Sequence, residues 1–311
     1  MGVRKPVIGR YSIGAARMVN EKGGRLHLGL AMWANADWRG ALYGPHTPMN
    51  ESLADYATVF SSVEGNTTFY SGAPKAETVA AWATLAPKEF RFCFKLPSRL
   101  THERRLDGIE SEFEAFIAQL SPLGERLGPI MVQLPRNFGG DELDKLARLL
   151  ERWPKGVGCA VEPRDPAMFA KGEVEKEFNQ LLITHGADRV MLDVRALFST
   201  PADAAPSLAK AQSEKPKRPL HVISTANAPI VRFIGHADMQ RNADYFTPWV
   251  ERLNLWINQG KTPFLFVHTP DNKAAPWLAR QCYQRIIDAS MNPSNWPAPA
   301  AFPGERQNAL F

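Results

Sequence analysis

The feature that most constrains the fold is an alternation of short apolar runs with helical stretches along the 311 residues. Eight such runs predict strands, and most end in polar or aromatic residues. They cover His27–Trp33, Val63–Thr67, Phe90–Lys95, Ile130–Leu134, Gly158–Glu162, Arg189–Val194, Ile230–Ile234 and Phe264–His268. Apolar residues at helical spacing follow most of them, as in Lys75–Leu85. This alternation predicts parallel strand pairing with right-handed crossovers.

Eight strand–helix units in a chain of this length predict a single α/β domain, a parallel eight-stranded (β/α)8 barrel of the TIM type. An open doubly wound sheet is the alternative, but its dinucleotide-binding version would need Gly-x-Gly-x-x-Gly after the first strand. We expect the barrel to span residues 26–290, between an N-terminal arm at 1–25 and a Pro-rich tail at 291–311. The Pro- and Ala-rich segment 195–227 is expected to be an irregular connection, with a lid as one role.

Composition indicates which ligands and which cellular compartment are compatible with this chain. Its net charge of +5 permits an anionic ligand without requiring nucleic acid. Cys93, Cys159 and Cys282 are widely spaced, which fits a reducing compartment and argues against a zinc ribbon or a disulfide framework. No apolar run reaches the roughly 18 residues of a membrane span, and no secretion signal is evident. We therefore expect a cytoplasmic protein that has no membrane partner.

Side-chain parity on the third strand predicts which groups face the barrel interior. Phe90, Phe92 and Phe94 share one face and must pack on helices, so Lys95 faces inward at the C-terminal end of its strand. The same reasoning places seven other residues inward: Glu64, Asn66, Gln133, Glu162, Asp193, Arg232 and His268. Barrel enzymes carry their chemistry at this end. We predict one polar site here, although the charged groups could instead form a structural network.

Aromatic residues and one histidine frame the predicted site. Four aromatics lie on the first two strand–helix connections: Trp33, Trp38, Phe69 and Tyr70. Each could pack in the core, or together they could stack on a planar base or a sugar. His102 follows the third strand, and a loop histidine is usually solvated. Near Lys95 and a carboxylate, it becomes a candidate acid or base.

Several motifs resemble those of the YecE-like family, also called domain of unknown function 72. The similarity extends from about Leu26 to Ile287. The matching pieces are Trp33–Trp38 with Arg39-Gly40, Glu64–Tyr70, Lys95 with Thr101-His102, Leu127–Pro129 leading into Gln133–Pro135 and Phe138, Glu162-Pro163-Arg164, Asp193, and Val231–His236. The resemblance implies a TIM-barrel fold and adds His236 to the candidate binding residues, but it implies no reaction. The chain departs from the family pattern at Ala34-Asn35-Ala36 and His268–Asn272.

The first functional hypothesis is a metal-independent enzyme, a hydrolase or an isomerase. Lys95, Arg164 and Arg232 would hold a phosphate- or carboxylate-bearing substrate, including a nucleotide-like one. The candidate catalytic groups are Glu64, Lys95, His102 and Glu162. The candidate binding groups are Trp33, Trp38, Asn66, Phe69, Tyr70, Gln133, Arg164, Asp193, Arg232, His236 and His268. No cofactor is expected under this hypothesis.

Two alternatives remain open, as do the substrate and the oligomeric state. One is a metal-dependent phosphodiesterase or isomerase of endonuclease-like type, with a divalent metal at Glu64, Glu162, Asp193 and His268. The other is a nucleic-acid-binding module that uses the basic loop Lys215–Arg218 and the aromatics. A short basic, proline-containing run of this kind is usually a solvated loop, which weakens the second alternative.

Overall fold

A computed structural model describes residues 24–291 and 296–308. The expected arm therefore lies almost wholly outside the described residues, as do 292–295 and 309–311 of the expected tail. The described part of the tail packs on the body of the protein. Phe302 is buried, and Arg280 forms an ion pair with Glu305 at 2.9 Å.

Eight parallel strands form a six-stranded and a two-stranded sheet in the described residues. In chain order the strands are β1 His27–Leu30, β2 Ser62–Gly65, β3 Arg91–Phe94, β4 Ile130–Gln133, β5 Cys159–Glu162, β6 Asp188–Asp193, β7 Ile230–Ile234 and β8 Phe264–His268. The larger sheet has the order β1-β8-β7-β6-β5-β4, and β2 pairs with β3. The chain thus forms a curled parallel α/β fold whose larger sheet is a half-barrel. Each predicted strand is present, within a few residues of its predicted bounds.

Hydrogen bonds link the edges of the two sheets. Between β3 and β4, Gly128 N donates to Phe92 O at 2.9 Å and Leu96 N donates to Met131 O at 2.9 Å. Between β1 and β2, Ser61 N donates to Leu28 O at 3.1 Å. The phenol of Tyr56 extends this contact, because it accepts from Leu30 N at 2.8 Å and donates to Ser62 O at 2.9 Å. A side chain therefore bridges backbone groups that a regular ladder would join directly.

Helices cover the outside of the strands. Their bounds are α1 Ser52–Val59, α2 Thr67–Ser71, α3 Ala76–Leu85, α4 Glu110–Leu120, α5 Leu143–Glu151, α6 Glu173–His185, α7 Pro206–Glu214, α8 Asn242–Asn258, α9 Ala275–Asp288 and α10 Pro303–Asn308. A π-helical turn spans Arg99–Glu103. Sequence periodicity missed α2, α7 and α10, the last of which lies in the segment predicted as a Pro-rich tail. None of the helices in the described ranges is long and apolar enough to cross a membrane.

Alternating strand residues separate two apolar clusters. Cys93, Met131, Ala160 and Phe266 belong to a cluster enclosed by the strands. Their neighbours Phe92, Val132, Val161 and others belong to the larger cluster that also contains the helix residues. The parity that was predicted for β3 is therefore confirmed. Apolar packing fills the interior below the strand ends, which leaves the C-terminal ends as the place where polar groups gather.

Candidate functional site

Glu64, at the end of β2, is the centre of a buried charged network. Its carboxylate is fully buried and accepts two hydrogen bonds from Arg232, at 2.7 and 2.8 Å. Lys95 Nζ lies 3.3 Å from the same carboxylate, and His268 Nε2 lies 3.2 Å from it. Burial alone would raise the pKa of Glu64, but Arg232, Lys95 and His268 lower it well below its usual range. Glu64 is therefore ionised at neutral pH.

Glu162, at the end of β5, joins the network from the opposite side of Arg232. Its Oε2 accepts from Arg232 Nη1 at 2.7 Å, and its Oε1 accepts from Arg164 Nε at 2.7 Å. Burial would raise the pKa of Glu162, but Arg164, Arg232 and Lys95 hold it at about 2. Both carboxylates are thus ionised and hydrogen-bonded, so neither is a ready proton donor near neutral pH.

Lys95 follows β3 and holds the most adaptable charge in the network. Its Nζ donates to Gln133 Oε1 at 3.1 Å and lies 5.8 Å from the centre of the Phe69 ring. Burial, followed by repulsion from Arg232, lowers the pKa of Lys95 to about 8, against the opposing effect of Glu64 and Glu162. A group with this pKa can both lose and regain a proton near physiological pH.

His268, at the end of β8, contributes a neutral imidazole. Burial lowers its pKa from 6.5 to about 4, although Glu64 opposes that shift. At neutral pH its Nε2 can donate to Glu64 without adding a positive charge. His268 therefore orients the carboxylate.

Lys215 also belongs to this site, although sequence reasoning placed it on a surface loop. Burial, followed by repulsion from Arg232, lowers its pKa, so this half-buried side chain lies close to the network. The loop is held in place because Arg218 Nε donates to Arg164 O at 3.0 Å and Arg136 donates to Ser213 O at 3.0 Å. Half-burial of a lysine cannot be read from the sequence, because it depends on where the long connection folds.

The rim beside Lys95 is formed by Phe69 and His102. The His102 ring packs edge-on against Phe69 at 5.2 Å, and its Nδ1 shares a hydrogen bond with Thr101 Oγ1 at 2.8 Å. Burial, followed by the charge of Arg164, lowers the pKa of His102, so the ring is neutral at pH 7. Tyr70 packs against the outer side of Phe69 and is 82% exposed.

A groove of ≈ 570 Å³ continues outward from Phe69 and Tyr70. It lies between α2, the π-helical turn and α4, beside the charged network rather than above it. Its charged lining includes Arg99, Glu103 and Glu112. Phe69 therefore lines the groove and also contacts groups of the charged network.

Asp193 was predicted to face the interior, and this is wrong. It pairs in register with Phe233, which packs against the helices, so its side chain points to that outer layer. There its carboxylate accepts from Trp249 Nε1 of α8 at 2.8 Å and from Arg195 at 2.8 and 3.0 Å. The strand has apolar residues on both faces, so hydrophobic pattern alone could not fix its parity.

Four other predicted binding residues have mainly structural contacts. Trp38 is fully buried and its Nε1 donates to Asn272 O at 3.0 Å, while Trp33 packs edge-on against Trp82 at 4.9 Å. Asn66 donates to Ala31 O at 3.0 Å. His236 hydrogen-bonds to Thr200 and Arg241 and accepts from Asp238 N. These contacts position the strand ends and the loops that surround the network.

The suggested metal site does not form. Asp193 points away from Glu64, Glu162 and His268, and guanidinium groups already bond both glutamates. Within the described residues, no three histidine, cysteine or acidic side chains come together as metal ligands. The donor set proposed from the sequence therefore does not fit a divalent cation.

Positive charge exceeds negative charge at the C-terminal end of the strands. We call the six charged side chains there the C-terminal mouth: Glu64, Lys95, Glu162, Arg164, Lys215 and Arg232. Four cationic side chains face two carboxylates, and the electrostatic effects on their pKa values show that they influence one another. Arg232 uses its donors on Glu64 and Glu162. The excess positive charge therefore lies with Lys95, Arg164 and Lys215.

Comparison with known proteins adds a family to this geometry. The family model described as "Protein of unknown function DUF72" matches residues 27–301. The chain is 38% identical over 262 residues to the UPF0759 protein YecE of Escherichia coli, covering 84% of this chain and 92% of that protein. It is 28% identical over 155 residues to the UPF0759 protein YunF of Bacillus subtilis, covering 47% of this chain and 52% of that protein.

Solved structures agree on the fold. A DUF72 family protein from Thermotoga maritima has a TM-score of 0.63 at 23% identity, covering 83% of this chain and 98% of that one. A DUF72 family protein from Enterococcus faecalis has a TM-score of 0.64 at 21% identity, covering 84% of this chain and 95% of that one. At this level of identity, the similarity concerns the fold alone.

Proposed function

This chain belongs to the DUF72 family of proteins of unknown function, and we propose that it is an enzyme that holds the anionic group of a small substrate at the C-terminal mouth and transfers a proton there. The observation that carries the proposal is the excess of cations at the mouth, four against two carboxylates. A phosphate or carboxylate group would neutralise this excess in a largely buried setting, where charge pairing is strong.

The proposal includes closure of the strands into one eight-stranded barrel. Three contacts support it: the hydrogen bonds between β3 and β4, the contact of β1 with β2 around Tyr56, and the pairing of Glu64 with Arg232 across the interior. In a closed barrel the eight strand ends surround one cavity mouth, where barrel enzymes carry their chemistry.

Free donors at the mouth determine where the anion would bind. Arg164 uses Nε on Glu162, and in residues 24–291 and 296–308 no protein acceptor occupies its Nη1 and Nη2. Lys215 likewise forms no ion pair within 4 Å among those residues, although Glu214 and Glu64 raise its pKa from a longer distance. A guanidinium fork and an ammonium group together suit a phosphate better than a carboxylate, because phosphate offers more acceptor oxygens.

Lys95 is the best placed group for proton transfer. Its pKa of about 8 lies near physiological pH, and it lies between Glu64 and the Phe69 ring. His102, whose neutral ring edges onto Phe69, is the second candidate. Glu64 and Glu162, which are held ionised, would instead set the charge and position of Arg232 and Lys95.

The aromatic side of the mouth supports a substrate with a planar or apolar part. Phe69 contacts the mouth on one side, and the groove of ≈ 570 Å³ continues beyond it. A nucleotide-like ligand would place its anionic group near Arg164 and its base near Phe69 and Tyr70.

The structure supports nucleic-acid binding less well. Two cations of the basic loop point inward: Lys215 lies by the mouth, and Arg218 donates to Arg164 O. They therefore do not form a basic stripe on the protein surface. Lys217 lies 5.5 Å from the centre of the Phe198 ring. A small anionic ligand fits this inward arrangement better than a polyanion does.

Calorimetric titration of the full chain with inorganic phosphate, acetate and an uncharged sugar tests the proposal. We expect binding of phosphate, weaker binding of acetate and none of the sugar. Lys215→Gln should weaken phosphate binding about tenfold, as loss of a charged hydrogen bond does. Lys217→Gln, which changes an exposed lysine in the same loop, is the matched control. Equal phosphate affinity in both variants and the unmodified protein would overturn the proposal.

A further inference from the structure

A second cluster of cationic side chains lies at the opposite, N-terminal end of the strands. His27, Arg91 and Phe264 are the first residues of β1, β3 and β8. With Arg25, which precedes β1, they line a depression of ≈ 310 Å³. Nothing in the proposed reaction at the C-terminal mouth uses these residues.

Two of the residues that line this depression each carry a buried nitrogen atom without a hydrogen-bond partner in the described residues. His27 is 3% exposed, and its Nδ1 is buried without a partner in the described part of the chain. Arg25 Nε is also buried and also has no hydrogen-bond partner in the described part of the chain. A buried polar atom that lacks a partner costs about 1 to 3 kcal/mol, so such atoms usually have an occupant that satisfies them.

The charges around the depression favour an anion. Burial lowers the pKa of Arg25, and the neighbouring Arg91 lowers it further, which shows that the two guanidinium groups repel each other. Burial likewise lowers the pKa of Arg91. Glu89 and Glu125 oppose these shifts, but within the described residues neither forms an ion pair with Arg25 or Arg91 within 4 Å.

The geometry points to a phosphate-binding site at Arg25, His27 and Arg91, for inorganic phosphate or the terminal phosphate of a small phosphomonoester. The guanidinium groups would donate to phosphate oxygens, as arginine does with this geometry. The His27 ring stacks on Phe264 with 4.6 Å between the ring centroids, and burial lowers its pKa to about 3, so the ring is neutral at pH 7. Hydrogen phosphate has both acceptor oxygens and one hydroxyl, so it can satisfy Nδ1 in either neutral tautomer of the ring.

Calorimetry with inorganic phosphate on the full-length Arg164→Gln variant tests this site separately from the mouth. In this background the mouth should bind phosphate only weakly, and we expect one tightly bound phosphate per chain. Adding Arg25→Gln or His27→Phe should weaken that binding about tenfold, the effect of losing one hydrogen bond to a charged group. His27→Phe retains a ring that can stack on Phe264. Arg252→Gln, at an exposed arginine of α8, is the control.

Two results would overturn the inference. One is the absence of phosphate binding in the Arg164→Gln background. The other is equal affinity in the Arg25→Gln and Arg252→Gln variants. Arg25 is only partly buried, so this comparison decides the question even if His27→Phe does not fold. Absence of phosphate at the mouth of the unmodified protein, with binding retained in the Arg164→Gln variant, would count against the proposed function alone.

Discussion

Arg232 and Glu64 form a bidentate ion pair across the interior of the protein. Nε and Nη2 of Arg232 donate to the two carboxylate oxygens at 2.8 and 2.7 Å. Arg232 lies on β7 of the larger sheet and Glu64 on β2 of the smaller one. This contact therefore links the two sheets across the interior, in addition to the hydrogen bonds at their edges, and helps to fix the position of the charged network.

Glu64→Gln should destabilise the fold. It leaves Arg232 and Lys95 buried with less compensating charge, and breaking a buried pair in this way costs about 3 to 5 kcal/mol. Urea unfolding should show this loss in the free energy of unfolding. Glu173→Gln, at an exposed residue of α6, should change it by less than about 0.5 kcal/mol. A small effect for both substitutions would refute the bridging role of Glu64.

His268 should make the protein less stable in mild acid. Its pKa is about 4 when folded and 6.5 ordinarily, so the unfolded chain binds the extra proton between these values. Its contribution is therefore fully present above pH 6.5 and is lost as the pH falls towards 4. The free energy of unfolding of unmodified protein minus that of His268→Gln should fall by about 2 kcal/mol from pH 7 to pH 5. A constant difference would show that His268 is not buried and neutral.

Asp188 should show the opposite dependence. Burial raises its pKa from 3.8 to about 7, despite hydrogen bonds from the Ala228 backbone. The folded state then binds the extra proton, so the contribution is present at low pH and is lost as the pH rises through 7. Relative to Asp188→Asn, the unmodified protein should lose about 2 to 3 kcal/mol of unfolding free energy from pH 5 to pH 8. A gain instead would contradict this burial.

Asp193 separates structural from binding roles. Asp193→Ala removes the acceptor of Trp249 Nε1 and of Arg195, and should cost about 1 to 3 kcal/mol of unfolding free energy. Because the carboxylate points away from the mouth, phosphate affinity measured by calorimetry should stay unchanged. Weakened phosphate binding in a folded Asp193→Ala protein would show that Asp193 belongs to the binding site.

Strand order and side-chain parity explain why much of the site was predictable. Phe90, just before β3, and Phe92 and Phe94 on it leave one orientation for Lys95. The same rule gives the orientation of Glu64, Gln133, Glu162, Arg232 and His268. Residues on these strands are neighbours because parallel strands end at one edge. β6 lacked such a marker, and Asp193 was therefore assigned to the wrong face.

Properties that depend on loop conformation were not predictable. Lys215 reaches the mouth because the segment after β6 contains α7 and returns over Arg164. Trp38 is buried, and its Nε1 donates to the carbonyls of Asn272 and Lys273, which are 234 and 235 residues away in the chain. No local pattern encodes such distant contacts.

Anion binding at the mouth can be tested directly with a crystal of the full chain soaked with tungstate, a heavy tetrahedral analogue of phosphate. We expect an anomalous peak at the mouth, between Lys95, Arg164 and Lys215. Soaked Lys215→Gln crystals should show a weaker peak, whereas Lys217→Gln crystals should match the unmodified protein. The absence of tungstate from the mouth in fully soaked crystals would contradict the claim that this charged network binds an anion.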